Sequence, residues 1–116
     1  MNKFSLIGLW DVYSALLTET QREITNLYFN LDLTVSEIAK EKGISRQAVS
    51  ECLKGCKVQL EEYENKLHFF ERLQKLSLEI SSMVTDAEIW ADRFYAEHPE
   101  YSTEIEELRN KLKIGG

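Results

Sequence analysis

An all-α chain is predicted by three features of the 116-residue sequence. Helix-start signals recur: Thr18-Glu19-Thr20-Gln21, Thr34-Val35-Ser36-Glu37 and Thr85-Asp86-Ala87-Glu88 all read as capping boxes. Apolar residues recur at steps of three and four along most of the chain. Helix breakers are scarce, with one proline and five glycines. Their order predicts a helix-turn-helix unit, then one long helix, then a C-terminal helical hairpin. Residues 1–58 form the first part and 59–116 the extension, expected together to make one continuous compact domain.

The first helix is predicted over Phe4 to Leu17, with Leu6, Leu9, Trp10, Tyr13, Leu16 and Leu17 on its inner face. Trp10 and Tyr13 read as core or interface aromatics. Thr18 and Gln21 cap a second helix whose inner stripe is Ile24, Leu27, Tyr28 and Leu31, with Arg22 and Glu23 pointing out. Asn30 to Leu33 is the loop into the next unit.

Thr34 to Lys54 carries the most specific signal. Thr34 and Glu37 cap a short helix with Ile38 and Ala39 inward. Gly43 supplies the permissive backbone at a tight corner. Ile44 is expected to turn back into the core. Ser45 caps a second helix that opens Arg46-Gln47-Ala48-Val49. Two short helices joined by a glycine-containing turn make a helix-turn-helix. Ile38, Ile44, Val49 and Cys52 are apolar where the unit packs on itself, and Ala39 is small where the helices cross. Ser45, Arg46, Gln47, Ser50, Glu51 and Lys54 remain on the outer face. The order of two supporting helices before the motif resembles the DNA-reading end of bacterial sigma factors.

Beyond the motif, Val49, Leu53, Cys56, Leu60, Tyr63, Leu67 and Phe70 hold a heptad seam. The period slips at Leu73 and Leu76 and resumes at Ile80 and Met83. An unbroken helix from Arg46 to about Ser82 has a length on the order of 55 Å. Gly55 inside it is expected to kink the helix or admit a neighbouring backbone. The stripe has more apolar surface than a small N-terminal unit covers, so a symmetric homodimer through the long helix and C-terminal helices is expected. Glu61, Glu62 and Glu64 read as a solvated face, not a metal site. Thr85 begins another helix, with Ile89, Trp90, Phe94 and Tyr95, which ends before Pro99. Ser102 to Glu106 opens the last, with Tyr101, Ile105, Leu108 and Leu112 at steps of 4, 3 and 4, and Gly115-Gly116 stop it. These two helices are expected to form the hairpin and to pack on the long one.

Net charge is −6. Thr18 to Leu60 balances six basic against six acidic residues, whereas Glu61 to Gly116 has seven basic and thirteen acidic, a net of −6. A general polyanion binder is therefore excluded, and any DNA contact must use a few placed side chains. No apolar run of membrane-spanning length occurs, and Met1 to Trp10 lacks the order of a signal peptide, so a cytoplasmic protein without membrane insertion is expected. Cys52 and Cys56, four apart, are not a C-x-x-C pair, and His68 and His98 are too isolated to complete a zinc site; no metal or cofactor is expected. A phosphate-binding glycine loop, a nucleophile elbow and H-E-x-x-H are all missing from the sequence, so no catalytic residue is assigned.

The chemistry that remains is groove reading. Arg and Gln side chains pair best with guanine and adenine edges, which assigns base contacts to Arg46 and Gln47. Ser45, Ser50, Lys54 and Lys57 are placed to hold the helix on phosphates. Glu51 on that face repels phosphate unless it accepts from a cytosine amino group.

Several stretches resemble the YlxM-like helix-turn-helix family of Gram-positive bacteria and mycoplasmas. They are Leu16-Leu17-Thr18 with Gln21, Leu27-Tyr28, Glu37-Ile38-Ala39, Ser45-Arg46-Gln47-Ala48-Val49, and Leu60-Glu61 with Tyr63-Glu64 and Lys66-Leu67-His68. The resemblance spans about Leu16 to Phe70. It implies an all-helical fold with a sigma-factor-like motif and a regulatory DNA-binding role linked to the signal recognition particle pathway. Its alternative is an adaptor without DNA, binding the signal recognition particle GTPase or its RNA. Two positions depart: the family commonly has an aromatic residue at Ser50 and a basic one at Gly55. A missing charge beside Lys54 weakens phosphate contact.

Overall fold

The computed structural model describes residues 3–113, and the side chains of residues 5–113. The stop expected at Gly115-Gly116 lies outside them. Six α-helices and no strand occur among the described residues: α1 Lys3–Tyr13, α2 Glu19–Phe29, α3 Val35–Lys42, α4 Arg46–Leu67, α5 Phe69–Glu97 and α6 Ser102–Leu112. The chain falls into two compact units, Met1–Arg72 and Leu73–Gly116.

The first unit is built around α4. Leu6, Leu9, Tyr13 and Leu17 pack with Phe29, Cys56 and Leu60 in one cluster. Ile24, Ile38, Ala39, Val49 and Leu53 form a second. Tyr28 and Cys52 lie against both. Val49, Leu53, Cys56 and Leu60 are the inward face of α4, as the heptad spacing predicts. Each fully buried aliphatic side chain contributes about 1.5–3 kcal/mol. Polar groups inside are matched: the Trp10 indole N–H donates to Thr25 Oγ1 at 2.7 Å, and that hydroxyl donates to the Gln21 carbonyl at 2.7 Å.

Both capping boxes before the motif form reciprocally. Thr18 Oγ1 accepts from Gln21 N at 3.2 Å, and Thr18 N donates back to Gln21 Oε1 at 3.0 Å. Thr34 and Glu37 repeat the exchange at 3.2 Å each way. The first helix ends earlier than its apolar stripe, at Tyr13, and tightens into a 3-10 turn over Ser14–Leu16. Arg22, expected to point away, reaches back to the Ser14 and Leu17 carbonyls at 3.2 Å each and holds that turn. The turn seats Leu17 in the core and leaves Leu16 exposed. Leu31, expected on the inner stripe, is also exposed, because α2 has ended at Phe29 and the chain has left the helical face.

The expected long helix is broken. His68, a non-glycine residue at φ 56°, closes α4, and α5 begins at the next residue. Left-handed backbone at such a residue costs roughly 1–2 kcal/mol. The compensation is a full set of partners for the four N–H groups that a helix start leaves unpaired. Phe69 N donates to Tyr13 Oη at 3.1 Å. Phe70 N and Glu71 N donate to the two Glu64 carboxylate oxygens at 3.0 Å each. His68 N itself donates to the Glu64 carbonyl at 2.8 Å. Tyr13 O–H in turn donates to Glu64 at 2.6 Å. Glu64 is therefore no idle member of a solvated face. The break also lets Phe69 stack on Tyr13, with centroids 6.3 Å apart, and lets Phe70 lie on α1 at Gly8. A Cβ at Gly8 would sit 2.3 Å from the Phe70 ring, so this contact requires glycine.

In the second unit, Ala91 and Ile105 are buried where α5 and α6 pack. Arg109 pairs with Asp92 and lies 5.9 Å from the Tyr95 ring centre. Phe94 stacks on Trp90 at 5.1 Å and contacts His98 and Tyr101 at the hairpin turn. The helix ends at Glu97, before Pro99, as predicted. Thr85, however, starts no helix: α5 runs through it without interruption. A capping box needs an extended residue at its first position, and Ile80 to Ile89 contains no glycine or proline to end the preceding turn.

Burial raises the Glu64 pKa, but the Tyr13 hydroxyl, the Phe70 and Glu71 amides and His68 outweigh it, so its carboxyl titrates below the ordinary range. A lowered folded-state pKa gives stability that is present above the unfolded value and lost as pH falls through the folded one. Urea unfolding of Glu64→Gln is expected to show a loss of about 1 kcal/mol at pH 7, since the group is half-buried and hydrogen-bonded. The gap from wild type should close as pH drops below about 4. A gap constant down to acid pH would reject the charged cap.

Candidate nucleic-acid interface

The motif forms because α3 must stop and α4 must start within four residues. Gly43 adopts φ 68°, ψ 32°, a left-handed cap whose N–H donates to the Ala39 carbonyl. Ile44 N donates to the same carbonyl at 3.1 Å. Ser45 Oγ then accepts from Ala48 N at 3.0 Å and opens α4. Ser45 is thus committed to the cap before it meets any ligand.

Arg46 and Gln47 stand exposed in the first turn, on a helix whose inner face, Val49, Leu53, Cys56 and Leu60, is locked into both core clusters. Ser50 and Lys57 are half-buried and Lys54 is exposed. Spacings of four, four and three put Arg46, Ser50, Lys54 and Lys57 on one stripe about 16 Å long. Gln47 lies beside that stripe, where its amide donates to Glu51 Oε1 at 3.3 Å. This contact occupies the awkward carboxylate and orients the Gln47 amide.

Ile44 does not enter the core. It is 40% exposed. It lines an open cleft of about 460 Å³ with Ser36, Lys40, Gly43 and Arg46. The glycine corner turns the backbone outward at that point. Lys40 is a cation that the sequence reading missed. Only the packing of α3 on α4 brings it beside Arg46, so nothing in the local spacing of α4 announces it. Lys42 is not free in the same way: it pairs with Glu23 of α2.

Gly55 neither breaks α4 nor receives a neighbour. The helix continues through it, and beyond its own helix backbone and chain neighbours no heavy atom comes within 4 Å of where its Cβ would stand. Cys52 and Cys56 are free thiols with sulfurs 4.0 Å apart. Burial, then Cys52, pushes the Cys56 thiol up to about 12. Glu64, His68 and Glu71 place three possible metal-ligand atoms within 4.8 Å of one another. Both Glu64 oxygens already accept backbone N–H bonds at a helix start, whose partial positive charge disfavours a cation. No helix among the described residues is long and apolar enough to cross a membrane.

Comparison with known proteins agrees with this geometry. The UPF0122 family, described as "Putative helix-turn-helix protein, YlxM / p13 like", matches residues 1–98. A UPF0122 protein of Clostridium kluyveri is 44% identical over 68 residues, 59% of this chain and 61% of its own. One from Ureaplasma parvum is 39% identical over 87 residues, 75% of this chain and 87% of its own. One from Geobacillus is 46% identical over 67 residues, 58% and 61% of the two chains. The match thus spans about three fifths of the clostridial and Geobacillus relatives.

Open space at Gly55 yields a clean expectation. Gly55→Ala removes backbone freedom without a clash and should raise unfolding stability by about 1 kcal/mol. A neutral or negative change in urea denaturation would show an unseen constraint there.

Proposed function

We propose that this chain, which belongs to the UPF0122 family of YlxM / p13-like helix-turn-helix proteins, is a DNA-binding regulatory protein whose α4 enters the major groove. One observation carries the reading: Arg46 and Gln47 are exposed in the first turn of a helix that Val49, Leu53, Cys56 and Leu60 hold in the core. Arg46 addresses a guanine edge and Gln47 an adenine edge. Ser50, Lys54 and Lys57 set the helix against phosphates, and Lys40 adds a cation beside Arg46. Ser45 contributes through its cap, which aims the first-turn N–H groups outward. The role is cytoplasmic and non-catalytic, with no cofactor, and the working species is a two-fold homodimer.

The balanced charge of Thr18 to Leu60 sets the energetics. Few phosphates are neutralised, so affinity depends on base contacts and falls less steeply with salt than for a basic domain. Titration of the protein against a pool of its own genomic fragments at low salt should yield a shifted subset. Arg46→Ala should weaken that binding about 10- to 100-fold, the effect of losing one bidentate base contact. An unshifted pool, or an Arg46→Ala variant that binds as wild type does, would defeat the direct-reading role.

A second reading has its own support. All of the excess acid lies in residues 61–116, and the motif half has no positive excess. An adaptor with this charge suits a basic protein partner, and the signal recognition particle GTPase, or its RNA, is the candidate that the family resemblance implies. A pulldown with that GTPase, paired with GTP turnover measured with and without this chain, distinguishes the two. Capture that persists in Arg46→Ala favours the adaptor; no capture of GTPase or RNA removes it.

A further inference from the structure

The break at His68 divides the apolar pattern into two seams. The first, on α4, is buried. The second starts afresh on α5: Leu73, Leu76, Ile80, Met83, Ala87 and Trp90 follow steps of 3, 4, 3, 4 and 3. That is a/d spacing with no charged member. The slip in period at Leu73 is the junction between two helices. This second seam is open: Leu73 is 53% exposed, Leu76 51%, Ile80 38%, Met83 71% and Trp90 52%.

The second unit shows why. Its buried residues among those described are Ala91 and Ile105. α6 covers the later half of α5, where Arg109 meets Asp92 and Tyr95. Leu112, near the end of α6, lines one end of an open groove of about 770 Å³ that runs along α5 from Glu88 back to Leu73. Among the described residues, one half of this stretch of α5 has a partner helix and the other half stays exposed.

We propose that the uncovered half of α5 is filled by a second copy of this chain, packed antiparallel about a two-fold axis near Ile80 and Met83, so that two hairpins close into a four-helix bundle. This deepens the homodimer reading given above and rests on it, but not on contact with DNA. A two-fold interface must be self-complementary. Reversing α5 about that point sets the bare half of each helix beside the α6-covered half of the other; a parallel pair leaves both bare halves together. The five exposed seam side chains amount to roughly 500 Å² at the ~200 Å² that a large side chain carries. With flanking Ser77, Ser81 and Val84 the patch approaches the ~800 Å² per partner of a standard interface. A unit of 44 residues with so small a shared core also lies close to the size, about 40 residues, below which a partner or staple is usually needed.

The full-length protein tests this. Light scattering at micromolar concentration should return twice the 13.5 kDa chain mass. Ile80→Glu should weaken self-association at least 100-fold. Met83→Lys should do the same; that side chain is 71% exposed, so its replacement disturbs no fold of the single chain. Leu78→Glu, at a 73% exposed residue off the seam, should remain dimeric. Orientation is read from nitroxide pairs in a Cys52→Ser background, where buried Cys56 stays unlabelled. Labels at Ser82 should lie within about 20 Å across the dimer, and labels at Glu97 roughly 45 Å apart, from the ~1.5 Å rise per residue. A monomeric wild type overturns the dimer itself. A dimer indifferent to both seam variants keeps the dimer and overturns the seam. Equal label distances overturn the antiparallel pairing.

Discussion

The carboxylate of Glu64 joins three parts of the first unit. It accepts the Tyr13 hydroxyl from α1, and it accepts the Phe70 and Glu71 amides at the start of α5, while its own backbone belongs to α4. Remove it and two N–H groups at a helix start lose their partners, and a buried phenol loses its acceptor. The left-handed residue His68 is tolerable only because this set is complete. Tyr13 shows the same coupling from the other side. Burial, then the bond to Glu64, raises its pKa, so the neutral phenol is the form the fold holds. That contribution persists below the unfolded value near 10 and fades as pH rises through the raised one.

The motif is carried on this frame. Its second helix is the same α4 whose far end bears Glu64, so the exposed first turn and the cap belong to one element of 22 residues. The core face of α4 spans both clusters, which fixes its rotation about its own axis. Rotation decides which side chains face outward, and here it presents Arg46 and Gln47. A local turn alone could not guarantee that. The support from α1 and α2, through Leu9, Phe29 and Ile24, makes the corner at Gly43 a positioned device.

Much of this was legible in the residues. Thr18 with Gln21, Thr34 with Glu37, Gly43 and Ser45 are signals within four residues of the backbone they control, and each acts as read. The inward face of α4 followed from spacing. What escaped depends on distant partners. The helix break falls at a histidine, and its cap combines Glu64 nearby with Tyr13, more than fifty residues away, which also anchors Glu64, so the same apolar period reads as one long helix. Thr85 and Glu88 have the letters of a capping box, yet no turn precedes them to be capped. The type of Ile44 points inward, but Gly43 turns the backbone out at that corner. Lys40 came into view only once α3 lay against α4. The fold and the motif were local in origin; the junction and the full lining of the cleft were not.

The bare backbone at Gly8 has a wider reach than its size implies. The Phe70 ring occupies the space a methyl group would take, so the beginning of the chain serves as the seat for the opening of α5. A substitution near the N-terminus would therefore register some sixty positions downstream, at the joint between two helices. The first helix is thus part of the joint between α4 and α5, not padding in front of the helix-turn-helix.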